Sequence, residues 1–90
     1  MATRFQQNPT VAWRLIDGEA VLIVPDKAQV KTLNRSATHL WQTLVVPRTS
    51  QELVDAIVGR FDIAAAEAAT DVDEFLHALL TRGLVVEVDG

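Results

Sequence analysis

The sequence contains no cysteine, which excludes disulfide bridges, cysteine-based zinc sites and a thiol nucleophile. It contains only two histidines, His39 and His77, and neither belongs to a His-x-x-x-His or Glu-x-x-His pair of the kind that binds zinc. The four glycines form no phosphate-binding loop, and neither Ser36 nor Ser50 follows a strand in the way a nucleophilic serine does. We therefore expect a protein that is not an enzyme and that uses no metal and no cofactor.

Long apolar runs are also missing from the sequence. No stretch of 18 apolar residues is available to span a bilayer, and the opening MATRFQQNPT lacks the apolar segment of a signal peptide. With 49% hydrophobic and 22% charged residues, the composition is that of a folded globule rather than a disordered chain. We expect a cytoplasmic protein with one domain over residues 11–88, preceded by a flexible segment over residues 1–10.

Positive charge is scarce, and it is unevenly distributed. The formal net charge of −4 disfavours nucleic acid as a partner, because proteins that bind it usually carry a basic excess. Residues 27–51 include four basic residues and no acidic one, whereas residues 61–80 include five acidic residues and no basic one. This pattern fits either two solvated helix faces or a bipolar surface on which an oriented, charged peptide could lie.

Three strands are predicted at the beginning of the domain. The runs VAWRLI and EAVLIV flank Asp17-Gly18, a strong two-residue turn signal, and together they predict a β-hairpin over residues 11–24. Pro25 ends the second run, since proline donates no ladder hydrogen bond, and a short turn leads to a third run, AQVKTL. The three runs predict an antiparallel sheet with the half-polar third strand at its edge.

The first two helices are marked by capping signals. Asn34 is a suitable N-cap for a helix over about 35–45, and Pro47 prevents that helix from continuing. The sequence TSQE then predicts a capping box, in which Thr49 and Glu52 satisfy one another's backbone amides at the start of the second helix.

A third helix, over about 64–81, completes the predicted fold together with a short final strand in LVVEV. Gly83 is placed to take a left-handed conformation just beyond the helix. The predicted fold is α+β and winged helix-turn-helix-like: a three-stranded antiparallel N-terminal sheet, then three helices and a short C-terminal strand.

The third helix carries a broader apolar arc than a helix resting on one small sheet requires. Val72 and Leu79 lie at the centre of this arc, with Phe75 on one flank and Leu76 and Leu80 on the other. Either the whole arc is buried between the sheet and the other helices, or one flank is the wall of a groove that faces the third strand.

The order of these motifs resembles the PqqD family, the small RiPP recognition elements of peptide-modifying pathways. Members show a strand ending in Leu-Asn, a helix with an aliphatic-Trp pair, a Thr-initiated second helix, and an Asp-Val-x-x-Phe-Leu-x-x-Leu helix that closes with Gly-Leu. The corresponding residues here are Leu33-Asn34, Leu40-Trp41, Thr49, Asp71-Val72, Phe75-Leu76, Leu79 and Gly83-Leu84. The resemblance extends over residues 11–88, with Pro47 in place of the family's Asp-Gly turn.

The resemblance implies a non-catalytic adaptor that binds the leader segment of a ribosomally synthesised precursor peptide. The leader would add as a strand to the third strand, contact the last helix, and be presented to a modifying enzyme such as a radical S-adenosylmethionine (radical SAM) protein or a leader peptidase. On the helix we favour the flank opposite Phe75, which we assign to the core. The predicted peptide-binding residues are Gln29, Val30, Lys31, Thr32, Leu33, Val72, Asp73, Leu76 and Leu80.

Two other functions remain open from the sequence. The helix-turn-helix order also fits a winged-helix nucleic-acid-binding domain, such as that of a transcriptional regulator, although the acidic third helix opposes it. The protein could also be a structural subunit that only scaffolds its enzyme. Apart from the peptide and the enzyme, we expect no nucleic acid and no membrane as partners, and a homodimer is a further alternative.

Overall fold

The part of the chain that the structure describes contains three α-helices and six β-strands. The structure is a computed structural model, and it describes residues 2–24 and 29–88. The strands are β1 (Arg4–Gln7), β2 (Ala12–Ile16), β3 (Glu19–Val24), β4 (Gln29–Thr32), β5 (Arg48–Thr49) and β6 (Val85–Val88). The helices are α1 (Arg35–Thr43), α2 (Ser50–Arg60) and α3 (Ala65–Thr81). The predicted α+β fold, with an antiparallel sheet, three helices and a final strand, is confirmed.

Strands β2, β3 and β4 form one antiparallel sheet in that order, and the β2–β3 hairpin is the one predicted. Its turn has positive φ at both central residues, 53° at Asp17 and 81° at Gly18. Positive φ at both positions is characteristic of the type I′ turn, whose twist matches that of the flanking strands. The predicted end of β3 at Pro25 lies outside the described residues.

The buried hydroxyl of Thr38 joins α1 to this sheet. Asn34 caps the helix as predicted, because its side-chain oxygen accepts a hydrogen bond of 2.9 Å from the Ala37 amide. One turn along, the Thr38 hydroxyl donates to the Leu33 carbonyl at 3.2 Å and accepts from the Ala20 amide at 2.8 Å. A single side chain therefore links α1, β3 and the residue that follows β4.

The predicted capping box at the start of α2 is confirmed. The Thr49 hydroxyl accepts from the Glu52 amide at 3.1 Å, and the Glu52 carboxylate accepts from the Thr49 amide at 2.8 Å. The hydrogen bond from the Thr49 amide lowers the pKa of the Glu52 carboxyl, because it stabilises the charged form. At the other end of the helical region, Gly83 has φ +72°, the left-handed conformation expected there.

The core lies between the β2–β3–β4 sheet and the helices, with Trp41 of α1 fully buried within it. Trp41 meets the half-buried Trp13 of β2 edge to face, with ring centroids 6.0 Å apart and an interplanar angle of 88°. Among the described residues the Trp41 indole N–H has no hydrogen-bond partner. Packing and aromatic contact therefore hold this side chain in place.

The prediction of a flexible segment over residues 1–10 is wrong for residues 4–7, which form β1. This strand is the centre of the second sheet, whose order is β5-β1-β6. It pairs antiparallel with β6 over its whole length, with Arg4 opposite Val88, and with the short β5 on its other side.

The polar side chains at the end of β1 explain both its stability and its absence from the prediction. The Gln7 side-chain amide donates to the Trp41 carbonyl at 2.7 Å, and the Asn8 side-chain amide donates to the Gly83 carbonyl at 2.9 Å. Trp41 lies in the last turn of α1, and Gly83 lies two residues beyond the end of α3. The segment is polar because its side chains bond to the backbone at these two places, so it lacks the apolar alternation that marks a strand in sequence.

Candidate functional site

An open groove of about 410 Å³ lies between β4, the first turn of α1 and one flank of α3. Its floor consists of buried apolar side chains, namely Leu33, Leu40, Ile57, Phe75 and Leu79. Its rim is more exposed and consists of Lys31, Thr32, Asn34, Ser36 and Ala37 on the β4–α1 side and Asp71, Glu74 and Ala78 on the α3 side. An apolar base with polar edges is the usual composition of a ligand-binding cleft.

Strand β4 borders this groove with an unpaired backbone edge. Within the described residues it pairs only with β3. The amide of Leu33, just beyond β4, donates to the Ala20 carbonyl at 2.8 Å and therefore points toward β3. Because backbone groups alternate in direction along an antiparallel strand, the amides and carbonyls of Val30 and Thr32 point away from β3, toward the open edge. An incoming strand would bond to these two residues.

The two faces of β4 differ in burial: one face borders the groove, and the other faces outward. Lys31 pairs in register with Leu22, on the buried face of the sheet, and it is half-buried at the rim of the groove. Val30 pairs with Ile23 on the outward face, and these side chains are 64% and 50% exposed. Alternate side chains of an added strand would therefore enter the groove and point away from it.

Charges of opposite sign face one another across the groove. Lys31 stands on the β4 side, whereas Asp71 and Glu74 stand on the α3 side. These rim residues remain accessible to solvent, so their charges would influence the orientation and the selection of a bound segment more than its affinity. A bound segment with charges of both signs would have one preferred direction.

The structure brings three of the nine predicted binding residues to the groove: Lys31, Thr32 and Leu33. Gln29 and Val30 belong to the same edge strand but do not line the groove. Their role would be through the backbone edge of β4, which continues past the groove.

On α3 the structure places the groove against the opposite flank from the one predicted. Val72 is completely buried and Leu76 is 6% exposed within the core, while the half-buried Leu80 packs against that core. Asp73 is exposed, and none of these four residues lines the groove. The prediction assigned Phe75 to the core alone, but its ring belongs both to the core and to the groove floor.

Five residues on α3 that were not predicted line the groove, and the four besides Leu79 follow a simple pattern. Asp71, Glu74, Phe75 and Ala78 stand at i, i+3, i+4 and i+7, which places them along one face of a helix. A helix face that combines two carboxylates, a large ring and a small residue is a pattern by which the groove-lining face could have been identified from the sequence. Hydrophobicity alone does not show it, because the apolar arc extends to both flanks.

Both histidines lie away from the groove. His39 of α1 is half-buried with its ring 5.9 Å from that of Phe61, and His77 of α3 is exposed. Burial, followed by the Arg60 guanidinium nearby, lowers the pKa of His39.

Neither a metal cluster nor a membrane span is found within residues 2–24 and 29–88. No three His, Asp or Glu side chains of that region are grouped so that they could hold a metal ion. None of the helices in the same region has the length and apolar character needed to cross a bilayer.

Comparison with known proteins finds one family whose model matches the chain. The family model described as coenzyme PQQ synthesis protein D (PqqD) matches residues 19–85. No curated protein gives a significant sequence match to the chain.

Two solved structures resemble the chain over nearly its whole length. One is TbiB1 in complex with the TbiA(beta) leader peptide, with a TM-score of 0.81, 24% identity, and coverage of 94% of this chain and 99% of that one. The other is lasso peptide synthetase B1 complexed with the leader peptide, with a TM-score of 0.78, 17% identity, and coverage of 91% and 96%. At such identities the likeness establishes a shared fold.

Proposed function

The chain belongs to the PqqD family, and from this membership and the groove beside β4 we propose that it is a non-catalytic adaptor for the leader segment of a ribosomally synthesised precursor peptide. The leader adds to β4 as an antiparallel or parallel strand and places alternate side chains in the groove. The adaptor then presents the rest of the precursor to a modifying enzyme, such as a radical SAM protein or a leader peptidase.

The observation that carries this proposal is the backbone edge at Val30 and Thr32, which no strand within the described residues covers and which lies beside an apolar groove. Main-chain hydrogen bonds to that edge would provide affinity that depends little on sequence, whereas the groove would select side chains. The two structural neighbours support the proposal, since both are complexes with leader peptides. A half-polar edge strand also resists pairing with copies of itself, which suits an edge kept open for another chain.

The groove further indicates the character of the bound segment. The ring of Phe75 and the side chain of Leu79 offer an apolar floor, so the leader would insert an aliphatic or aromatic side chain there. A basic residue of the leader would lie next to Asp71 and Glu74, and an acidic one next to Lys31. On the β4 side, Gln29, Val30, Lys31, Thr32 and Leu33 remain the proposed contacts.

A pair of proline substitutions on β4 tests the proposal. Val30→Pro removes an amide that points to the open edge, so it should weaken binding roughly two- to tenfold, the net value of about one hydrogen bond, while the fold persists. The probe is a synthetic leader peptide taken from a precursor that a reading frame beside the gene is expected to encode, and the measurement is isothermal titration calorimetry.

Lys31→Pro is the matched control, because the Lys31 amide points toward β3. It should lower the free energy of unfolding, since it removes a hydrogen bond within the sheet. If Val30→Pro retains native circular dichroism and binds the peptide as the unmodified protein does, the leader does not add to β4. Absence of any binding by the unmodified protein would reject the adaptor function itself.

A further inference from the structure

A second and smaller pocket, of about 200 Å³, lies between the β2–β3 turn, α1 and the end of α2. It shares no lining residue with the groove beside β4. The polar part of its lining consists of Arg35, Thr38, His39 and Gln42 on α1 and Arg60 on α2, and the Phe61 ring borders it. The proposed peptide function uses none of these side chains.

Helix geometry explains why these groups converge on one pocket. Arg35, His39 and Gln42 are spaced i, i+4 and i+7, so they lie along one face of α1. Arg60 is the last residue of α2 and reaches the same pocket from the neighbouring helix. The face of α1 that borders the β4 groove carries Ser36, Ala37 and Leu40 instead.

The pocket has an excess of positive charge. Among residues 2–24 and 29–88, no carboxylate lies within ion-pair distance of Arg35 or Arg60, and the only ion pair joins Arg48 to Glu52. Asp17 and Asp62 are neighbours in sequence of lining residues, but neither lines the pocket.

The direction in which the pKa of His39 is shifted agrees with this distribution of charge. Its pKa is lowered by burial and by the Arg60 guanidinium, whereas donation by the imidazole N–H to the Ala56 backbone carbonyl acts in the opposite direction. No carboxylate of residues 2–24 and 29–88 lines the pocket or pairs with Arg35 or Arg60. Within that part of the chain, the two guanidinium groups and the imidazole therefore have no counter-charge in the pocket.

We propose that this pocket binds an oxyanion, namely a carboxylate or phosphate group carried by a partner molecule. Guanidinium groups donate in a planar fork that matches such groups, the Gln42 amide supplies further N–H donors, and the His39 imidazole supplies one when it is protonated. The volume of about 200 Å³ equals the share of roughly six or seven water molecules, which suits a single anionic group with part of its hydration.

An NMR titration of the two histidines tests this assignment with inorganic phosphate and, separately, with acetate. Sodium chloride at equal ionic strength is the reference. A bound anion stabilises the imidazolium, so phosphate should shift the His39 resonances saturably and raise the pKa of His39 relative to chloride. The exposed His77 serves as the internal control, and its resonances should match those in chloride.

The two anions distinguish the sources of the ligand. Tighter binding of phosphate indicates a phosphate group, because its second charge engages both guanidinium groups, whereas equal or tighter binding of acetate indicates a carboxylate. If both anions leave His39 as chloride does, the pocket is not an anion site.

Arginine substitutions localise the effect. Arg60→Gln and Arg35→Gln should each weaken anion binding roughly two- to fivefold, the value of one exposed charge pair, and the double variant should abolish it. All three keep the fold, because both side chains are exposed. Arg82→Gln, at an exposed position after α3 and outside the pocket, is the matched control and should bind as the unmodified protein does. Equal loss in Arg82→Gln, or full binding in the double variant, would overturn the proposal.

Discussion

At the scale of single residues, Phe75 combines two roles that are normally separate. Its ring is 8% exposed, belongs to the core and lines the groove beside β4. Replacing it with alanine would cost about 3–5 kcal/mol of stability as a core truncation and would remove the groove floor at the same time. A test of peptide binding on α3 therefore needs a neighbour whose substitution leaves the core intact.

Ala78 is such a neighbour, because it is half-buried at the rim and close to Phe75 on the same helix face. We expect Ala78→Gln to fill part of the groove and to weaken leader binding roughly tenfold, since overpacking costs about 1–3 kcal/mol. The free energy of unfolding should change little, because glutamine is a good helix former. Calorimetric titration and urea denaturation measure the two quantities.

Ala69→Gln provides the matched control for Ala78→Gln, at an exposed position of α3 outside the groove. It should bind the leader as the unmodified protein does. The opposite flank is tested by Leu80→Ala, for which we also expect normal binding. Normal binding by Ala78→Gln together with weakened binding by Leu80→Ala would place the peptide on the other flank of α3.

His39 makes stability depend on pH. Its pKa in the folded protein lies below the ordinary value of 6.5, so the unfolded chain binds more protons than the folded one near and below that pH. We therefore expect its stabilising contribution to be complete above pH 6.5 and to be lost as the pH falls through the lowered pKa. Urea denaturation on either side of pH 6.5 measures this loss.

The two histidines can be separated by matched substitutions. His39→Gln should remove part of the pH dependence below 6.5, because the half-buried imidazole is then absent. His77→Gln, at an exposed site on α3, is the matched control for the loss of an imidazole. Identical slopes in the unmodified protein and in His39→Gln would show that burial of His39 does not contribute.

At the scale of elements, the sequence predicted best where short-range chemistry decides the structure. The turn at Asp17-Gly18, the Asn34 cap and the Thr49–Glu52 box each depend on neighbouring residues, and all three are confirmed. Strand β1 was missed because its stability comes from pairing with the other end of the chain. The groove lies on the other flank of α3 from the one predicted to bind the peptide, because the distant strand β4 decides which side of that helix stays open.

Strand β1 is expected to be essential for stability even though the family match begins at residue 19. Removing residues 1–7 deletes the centre of the β5-β1-β6 sheet and the cap that Gln7 provides to α1. We expect a loss of at least about 2 kcal/mol, hence about 10 °C in melting temperature, which circular dichroism measures. Removing residues 2–3, which are exposed and precede the strand, should have little effect. If the unmodified protein and the variant that lacks residues 1–7 have equal melting temperatures, β1 is dispensable for stability.

At the scale of the whole molecule, the basic residues of the first half do not form one pole. Lys31 lies at the rim of the β4 groove, Arg35 lies in the second pocket, and Arg48 forms an ion pair of 3.9 Å with Glu52. Lys27 lies outside the described residues. The acidic residues are more concentrated, because α3 carries Glu67, Asp71, Asp73 and Glu74 without any lysine or arginine. The bipolar interpretation is therefore supported only locally, across the groove.

This charge distribution predicts the outcome for the nucleic-acid alternative. The helix that would enter a DNA groove is acidic, and the net charge is −4, so we expect no measurable binding to duplex DNA at physiological salt. An electrophoretic mobility-shift assay measures it. Micromolar or tighter affinity that weakens steeply with added salt would instead favour a nucleic-acid-binding domain.

The pairing of β1 with β6 has a consequence for how this domain can be combined with others. Arg4 stands opposite Val88, so the chain enters and leaves the fold at neighbouring points, about 5 Å apart across one strand spacing. A loop on the surface of a host enzyme spans such a gap without being stretched, and this makes the domain suitable for insertion within another polypeptide as well as for fusion at either end. A domain inserted in this way would hold its bound peptide near the host enzyme at an effective concentration set by the lengths of the two short connections.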